Sequence, residues 1–482
     1  MRYAVPANAP EEVAALAAAG AGELYCGYQD AWWVERYGDH DSASRRQGAA
    51  NLSTLDDLER CATEAQVSGL PLWLALNSRY TEPQLDHLVE LCQQFERMGG
   101  TGVILSDLGL LWRLYDATGL KRCLSLLAVV QNRATLVAYK HLGVTRVVFP
   151  RFVRPREMCR LLRVVRGIEP EVMAFFDKCP WVDGYCRHRH GVTYPPREVP
   201  CGVDDAPPLY TFDTTYRTHA CLGKACTYLE PYPCAACYLP EFAQAGVGVA
   251  KLGGRGRPLD ERLRALRFLV AAEALASDEE RAALYQQTFG QPCACYFGSA
   301  TQKRDAIEPV EDPPGIESSQ VLGSQTNRSA FLEALSAVKK GEVPGDEGAV
   351  LLVPPLSDLD LVRLIGTIHA LQLRDDWRLT VYANDLGTFG MLAKMRADGD
   401  GRFRDCLDVR MGTLLLRADD PDEVAHALDA AGNPPRAVWG PQGEPRTLTY
   451  RRPPDELIAH WGHPSLLEPS AQEALRYLLG QG

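Results

Sequence analysis

Cysteine is the residue type whose number and spacing in this chain point most directly to chemistry. The sequence has 15 cysteines in 482 residues, and seven of them crowd into one stretch rich in Gly, Pro, His and Tyr. Thiolates are soft ligands, and four of them converging from a loop suit Zn²⁺ or an iron–sulfur cluster. The stretch therefore predicts a metal site. Its cysteines are Cys179, Cys186, Cys201, Cys221, Cys226, Cys234 and Cys237.

The spacing of these cysteines favours an iron–sulfur cluster over structural zinc. A zinc ribbon has two short cysteine pairs, whereas the only pair separated by two residues here is Cys234 and Cys237. The first pair, Cys179 and Cys186, is separated by six residues. We therefore interpret the stretch as irregular cluster ligation, with structural zinc and unligated thiols as the alternatives.

The remaining cysteines carry no predicted function. Six of them lie singly in apolar, periodic segments, where cysteine is typically a small buried hydrophobic residue. Cys293 and Cys295 lie in a segment rich in Gly, Pro, Ser and charge, and their role is left open. The six single cysteines are Cys26, Cys61, Cys92, Cys123, Cys159 and Cys406.

The elements that must position these thiols form a repeating pattern. Short aliphatic or β-branched segments alternate with helical patterns, which is typical of βα units in a parallel sheet. Eight units in about 275 residues predict a TIM-like (β/α)8 barrel, with its active site on the loops that follow the strands. The predicted strands are Tyr3–Pro6, Glu23–Gly27, Leu70–Asn77, Gly102–Ser106, Cys123–Val130, Arg146–Pro150, Glu171–Phe176 and Val247–Leu252.

The domain organisation follows from this α/β pattern. We assign residues 1–290 to the barrel, with the cysteine-rich insertion at 177–238, and residues 291–326 to a linker or strap. Residues 327–482 are predicted to form a second, smaller α/β domain, since four strands are too few for another barrel. Its predicted strands are Ala349–Val353, Trp377–Tyr382, Asp408–Leu416 and Ala437–Gly440, and its predicted helices are Asp358–Leu371, Gly387–Ala397 and Pro421–Ala431.

One short motif occurs in both parts of the chain. Asp107-Leu108-Gly109 follows a predicted barrel strand, and Asp385-Leu386-Gly387 follows a predicted strand of the second domain, each opening a helix. An Asp that caps a following helix explains both. Descent from a duplicated half is the alternative.

Polar residues after the predicted barrel strands form a candidate substrate site. Loops after the seventh and eighth strands of such barrels often hold anionic groups, and an Arg on the long second loop suits a carboxylate. Strand-end caps and solvent-exposed loops are the alternatives for these positions. The candidate substrate-binding residues are Arg46, Asn51, Asn77, Asp107, Lys251 and Arg255.

Composition excludes several classes of protein. The net charge of −11 argues against a general nucleic-acid or membrane-surface binder, because those need a basic face. No run of about 18 apolar residues and no signal-peptide pattern occurs. We therefore expect a cytoplasmic protein without a membrane partner, in which the cysteines do not form a disulfide framework.

Taken in order, several segments resemble peptidase family U32. The likeness runs from the N-terminus to about residue 260, and its strength lies in the order and spacing of the segments. The matching segments are Pro6-Ala7-Asn8, Arg46-x4-Asn51-Leu52-Ser53, Val103–Gly109, Cys179-x6-Cys186, Cys234-x3-Tyr238-Leu239-Pro240-Glu241-Phe242, Ala245-Gly246-Val247 and Lys251-Leu252-x-Gly254-Arg255.

The resemblance implies a [4Fe–4S] cluster held by Cys179, Cys186 and Cys234. The third ligand in chain order is either Cys201, which has the better spacing, or Cys221, which has the better local likeness. Proteins of this kind are associated with oxygen-independent hydroxylation of tRNA or rRNA bases and of ubiquinone precursors, in some cases with prephenate as the oxygen source.

Two departures from the family pattern bear on the substrate. Phe176-Asp177 replaces the family's His-Gly before the first cluster cysteine, and Gly253 replaces a Glu after the eighth strand. These changes affect the expected substrate more than the expected cluster.

The sequence thus favours a [4Fe–4S]-dependent hydroxylase or oxidoreductase acting on a small anionic, aromatic or nucleobase-like molecule, with no catalytic residue assigned. A non-catalytic, cluster-bearing subunit of a modification complex is one alternative. A peptidase is the other, although no His-Glu-x-x-His or Gly-x-Ser-x-Gly motif is present. A homologous partner subunit or a homo-oligomer is expected, and nucleic acid only as a tRNA or rRNA substrate.

Overall fold

The architecture comes from a computed structural model of the 482-residue chain. It describes residues 1–37, 42–46, 48–78, 80, 82–151, 153, 155–164, 167–176, 232–296, 328–340, 349–371, 377–398, 406–411, 438–439 and 445–446. Most of the cysteine-rich stretch and the predicted helix at 421–431 lie outside the described residues.

Within the described ranges, eight parallel strands close into a barrel. Strand β10 pairs with both β1 and β8, so the sheet has no open edge between its first and last strands. The predicted TIM-like barrel is thereby confirmed. The barrel strands are β1 (Arg2–Pro6), β2 (Glu23–Tyr28), β4 (Leu72–Leu76), β5 (Gly102–Leu105), β6 (Lys121–Leu124), β7 (Val144–Val148), β8 (Glu169–Phe175) and β10 (Val249–Leu252).

Three two-residue strands are added at the barrel rim. Strand β3 (Asn51–Leu52) pairs with β2, β9 (Pro233–Cys234) pairs antiparallel with β8, and β11 (Ala294–Cys295) pairs parallel with β9. All three lie outside the eight barrel strands, and they bring later segments of the chain back to the ends of β2 and β8.

Helices follow the barrel strands, and polar side chains fix where several of them begin. The side chains of Thr54, Asp107, Asn132 and Ser277 each accept a hydrogen bond from a backbone N–H in the first turn of a helix. The helices are α1 (Val13–Ala18), α2 (Ala31–Tyr37), α3 (Leu55–Val67), α4 (Glu82–Arg97), α5 (Leu108–Ala117), α6 (Arg133–His141), α7 (Pro155–Val164), α8 (Leu239–Gln244), α9 (Leu259–Glu273) and α10 (Asp278–Phe289).

One predicted strand is shorter than its apolar run suggests. The run 123–130 is a strand only to Leu124, because Ser125 caps a short 3₁₀ turn over Leu126–Ala128. Val129 then adopts a left-handed conformation with φ of 51°, which is strained for a β-branched residue. The chain therefore turns at the barrel rim, although the apolar run predicts that the strand continues to residue 130.

The C-terminal elements form a second α/β unit. Its parallel sheet has the order β12-β13-β14, and a separate antiparallel pair joins β15 to β16. Among the described residues, no helix is long and apolar enough to cross a membrane. The elements are α11 (Arg328–Lys340), β12 (Ala349–Val353), α12 (Asp358–Leu371), β13 (Leu379–Ala383), α13 (Leu386–Asp398), β14 (Leu407–Met411), β15 (Val438–Trp439) and β16 (Pro445–Arg446).

A buried network of charges centred on Arg146 of β7 occupies the barrel interior. Its guanidinium binds both carboxylate oxygens of Glu23 on β2, with Nη2 at 3.0 Å from Oε2. It also contacts Glu169 and Glu171 of β8, the latter at 3.2 Å. The same guanidinium lies 4.2 Å from the centre of the Trp73 ring on β4. One side chain thus connects four strands of the barrel.

Lys251 of β10 adds a second cation to this network. Its Nζ lies 2.9 Å from Glu171 Oε1 and 4.3 Å from the centre of the Tyr25 ring. Burial alone would raise the pKa of Glu171, but Lys251 and Arg146 hold it below its ordinary value. Glu171 is therefore a carboxylate that the two cations stabilise.

The C-terminal unit docks onto helix α6 through Asp385. The carboxylate of Asp385 caps α13 by accepting from Thr388 N at 2.8 Å. It also accepts from Asn132 Nδ2 at 3.2 Å, from Thr135 Oγ1 at 2.7 Å and from Leu356 N at 3.2 Å. A Cβ on Gly387 would overlap the backbone of residues 134–135, so a glycine permits the close approach of the two helices.

Replacing Arg146 should destabilise the barrel strongly. Arg146→Met leaves Glu23, Glu169 and Glu171 without their shared cation, and losing one partner of a buried charge network costs about 3–5 kcal/mol. The free energy of unfolding from urea titration measures this loss. Arg113→Met is the matched control, because its partner Asp86 is exposed and such pairs contribute at most about 1 kcal/mol. Equal losses in both variants would contradict the role of the network.

Replacing Asp385 should loosen the contact between the barrel and the C-terminal unit. Asp385→Ala leaves the buried donors of Asn132 and Thr135 unsatisfied, and a hydrogen bond to a charged group contributes about 1.5–3 kcal/mol. We expect faster amide hydrogen exchange in α6 and α13, with the exchange of β1 and β2 unchanged. Asp408→Ala is the control, since its pair with Arg410 lies on the surface. Unchanged exchange in α6 would argue against this docking contact.

Candidate functional site

The loops after β2, β4 and β5 are tied together at the carboxyl-terminal mouth of the barrel. Ser78 Oγ donates to the Ser42 carbonyl at 2.7 Å, and Tyr80 Oη donates to the Ala43 carbonyl at 2.7 Å. The backbone N–H of Tyr80 in turn donates to Asp107 Oδ2 at 3.2 Å. These bonds hold the loop 42–46 over the mouth.

Asn51 fixes the backbone of the segment that carries Arg46. Its Nδ2 donates to the Arg46 carbonyl at 2.6 Å and to Gln29 Oε1 at 3.2 Å, while its Oδ1 accepts from Ser44 Oγ at 2.5 Å. The side chain of Arg46 is half-buried at the mouth. Asn51 therefore acts on the position of Arg46 through hydrogen bonds to its loop.

Arg255, which lies near the end of the barrel sequence, also contacts the loop 42–46. It follows β10, is buried, and its Nη2 donates to the Ser44 carbonyl at 2.6 Å. A Cβ on Gly27 would overlap both Asn51 Oδ1 and Arg255 Nη1, so only glycine leaves room for these two side chains over β2. The structure thus brings Asn51, Arg255 and the Arg46 loop together.

The other predicted substrate residues lie at the mouth or below it. Asp107 is buried and caps α5 by accepting from Leu110 N at 2.8 Å, so it has the role of a strand-end cap. Asn77 follows β4, and among the described residues its buried Oδ1 receives no hydrogen bond. Lys251 points into the barrel interior, where Glu171 binds it.

Cys234 is the one predicted cluster ligand within the described residues. It lies on β9 opposite Phe175, the last residue of β8, and it is 1% exposed. The rings of Phe175, Phe176 and Tyr232 pack against one another there, with centroids 4.7–6.4 Å apart. The thiol therefore sits at the barrel mouth in a largely apolar surrounding.

A second thiol lies directly beside Cys234. Cys293 Sγ is 3.2 Å from Cys234 Sγ, although the two are 59 positions apart in sequence. The hydrogen bond between them raises the pKa of Cys234, with burial adding to the effect, and lowers the pKa of Cys293. Tyr296 N donates to the Cys234 carbonyl at 2.8 Å, which anchors the later segment on β9.

Arg257 connects the cysteine side of the mouth to the Arg255 loop. Its guanidinium carbon lies 4.6 Å from the centre of the Phe176 ring and 5.2 Å from that of Tyr232. Asn8 braces the same loop by accepting from Gly256 N at 3.1 Å. The loops after β1, β8 and β10 therefore form one continuous surface around the mouth.

The sequence does not predict the pairing of Asp30 with His87 or the contact that Cys293 makes at the mouth. Asp30, which follows β2, lies 3.4 Å from His87 Nε2 on α4, and Trp32 stacks on His87 with ring centroids 3.9 Å apart. Burial alone would raise the pKa of Asp30, but His87 and the backbone N–H of Trp33 lower it. Neither this pair nor Cys293 has a local sequence signature, because each contact joins segments distant in the chain.

The described residues do not by themselves assemble a metal site. Among them, no group of three or more His, Cys, Asp or Glu side chains is placed to hold a metal ion. The other four predicted ligands, Cys179, Cys186, Cys201 and Cys221, lie outside the described residues.

Solved structures similar to this chain have low sequence identity to it. "The Structure of the U32 Peptidase Mk0906" has a TM-score of 0.33 at 12% identity, covering 54% of this chain and 94% of that one. Tryptophan synthase from M. tuberculosis has a TM-score of 0.33 at 16% identity, covering 57% and 92%. A putative phosphonomutase from Burkholderia cenocepacia has a TM-score of 0.29 at 13% identity, covering 56% and 91%.

The family assignment comes from the sequence of the barrel and its rim. No curated protein matches the chain. The model of Peptidase family U32 matches residues 8–291, which is more than half of the chain and spans the mouth from Asn8 to the end of helix α10. The chain therefore belongs to peptidase family U32.

Proposed function

We propose that this chain is an iron–sulfur-dependent redox enzyme that modifies a small anionic, aromatic or nucleobase-like molecule at the barrel mouth. Oxygen-independent hydroxylation is the reaction we favour, with prephenate as the oxygen donor. The observation that carries the proposal is the position of Cys234, a buried thiol paired with the end of β8, where Phe176 and Tyr232 contact Arg257 of the loop that also carries Arg255.

The residues at this position fit an iron–sulfur cluster. Cys234 supplies a soft sulfur donor, and at 1% exposed it is shielded from water. Cys179, Cys186 and either Cys201 or Cys221 would complete the ligand set. When bound, such a cluster supplies electron transfer at the barrel mouth.

The protein's own part of the reaction is to bind and orient an anion. Arg46 would hold a carboxylate, because a guanidinium binds both carboxylate oxygens with parallel hydrogen bonds. Arg255 acts as a positioning residue, since its bond to the Ser44 carbonyl fixes the loop that carries Arg46. Asn77, with its buried Oδ1, would accept a hydrogen bond from a hydroxyl group of the bound molecule.

The cluster is tested by its metal content. We expect protein purified without oxygen to be brown and to contain about four irons and four sulfides per chain. Cys234→Ala should lose most of this iron, whereas Cys61→Ala, a buried cysteine on α3, should keep it. Circular dichroism verifies that both variants fold. Stoichiometric zinc without sulfide would contradict the proposal, and so would equal iron in both variants.

Anion binding is tested with prephenate as the probe in isothermal titration calorimetry. Arg46→Ala should weaken prephenate binding about tenfold, equivalent to about 1.4 kcal/mol, while the absorption spectrum of the cluster stays unchanged. Arg255→Ala should also weaken binding, because the Arg46 loop loses its anchor. The control is Arg60→Ala, since Arg60 is exposed on α3 and paired with Glu11. Affinity indifferent to Arg46 and Arg255 would refute an anion site here.

A further inference from the structure

Cys293 lies against Cys234 because of the path of the chain after helix α10. Gly290 ends that helix in a left-handed conformation with φ of 75°, and the chain then returns to the barrel mouth. Strand β11 pairs with β9 so that Cys295 lies opposite Cys234. Tyr296 Oη donates to the carbonyl of Phe176. The segment 293–296 is therefore held at the mouth by hydrogen bonds to β9 and to the end of β8.

The two sulfurs are close enough to react with each other. Cys234 Sγ and Cys293 Sγ lie 3.2 Å apart, at hydrogen-bonding distance. A disulfide requires a further approach to about 2.05 Å.

The two thiols differ in their access to solvent. Cys234 is 1% exposed, whereas Cys293 is partly exposed. A small oxidant arriving from solvent therefore meets Cys293 first. In an oxidation of this pair, Cys293 would therefore react first with the oxidant, as the attacking thiol. Cys234 would then react with Cys293, as the resolving thiol.

We propose that Cys234 and Cys293 form a reversible disulfide by exchange with a small-molecule disulfide. The Cys293 thiolate attacks one sulfur of the oxidant, which forms a mixed disulfide and releases one thiol. The Cys234 thiolate then attacks Cys293 Sγ, which forms the protein disulfide and releases the second thiol. Two cysteines are oxidised by two electrons, and one small disulfide is reduced to two thiols.

The regulatory consequence rests on the proposed function, in which Cys234 is a cluster ligand. A sulfur in a disulfide has no thiolate to offer to iron, so the disulfide and the cluster exclude each other. Cys293 would then act as a redox partner for the ligand position and would not itself bind the cluster. The chemistry of the pairing itself involves only the two thiols, whose sulfurs are in contact.

The test uses the full chain, freed of metal by a chelator, reduced, and then exposed to oxidised glutathione. After alkylation of free thiols and digestion without reductant, mass spectrometry should find one peptide pair joined through Cys234 and Cys293. The Cys234→Ser variant should instead retain glutathione on Cys293, because the resolving thiol is missing. The Cys293→Ser variant should leave Cys234 unmodified, because solvent does not reach it.

Two controls separate this pairing from general thiol oxidation. Cys295→Ser removes a cysteine from the same segment and should leave the Cys234–Cys293 link intact. Cys26 and Cys61, which also hydrogen bond to each other but are fully buried, should become alkylated only after unfolding. A link between Cys293 and another cysteine, or no link at all, would overturn the inference.

Iron analysis distinguishes failure of this inference from failure of the proposed function. Cys293→Ser should retain the iron content of the unsubstituted chain, and protein carrying the cluster should resist the link. Loss of iron in Cys293→Ser would make Cys293 a ligand and overturn its role as a redox partner. Zinc in place of iron would remove the proposed function and leave the disulfide itself to be decided by mass spectrometry.

Discussion

The neutralisation of buried carboxylates by Arg146 is the interaction on which the barrel depends. Glu23 and Glu171 lie inside a closed sheet, where an uncompensated carboxylate is strongly disfavoured. Arg146 binds both, with Trp73 against its guanidinium, and Lys251 binds Glu171 from the adjoining strand. The strands that carry these residues must therefore keep their relative positions, which fixes where their carboxyl ends emerge.

This interior network also determines which basic side chains are available at the barrel mouth. Lys251 is engaged by Glu171 below the rim, so the positive charge at the mouth comes from loop residues, among them Arg46, Arg255 and Arg257. Arg255 can cross β2 to reach Ser44 only because Gly27 has no side chain. The rigid barrel and the absence of one Cβ thus place two loops, from opposite ends of the barrel sequence, against each other.

The sequence predicted the barrel well because its signals are local. Each strand is an aliphatic segment bounded by a helical pattern, and the eight predicted segments each contain an observed strand or overlap one. Asp107 and Asp385 both cap helices, as the capping interpretation predicted. Lys251 shows the limit of such reasoning. Sequence placed it near a strand end, but the direction of its side chain depends on Glu171, which lies 80 residues earlier in the chain.

Cys293 is a second residue whose contacts the sequence does not predict. The structure groups it with Cys234, whereas the sequence places it outside the cysteine-rich stretch. Spacing separates Cys293 from the cysteine-rich stretch, because strand β10 and helices α8, α9 and α10 intervene. In three dimensions it is nonetheless a contact partner of Cys234. A backbone hydrogen bond from Tyr296 N to the Cys234 carbonyl holds the later segment on β9. The contact between the two thiols therefore depends on the pairing of β9 with β11, which brings a segment 59 positions later in the chain to the barrel mouth.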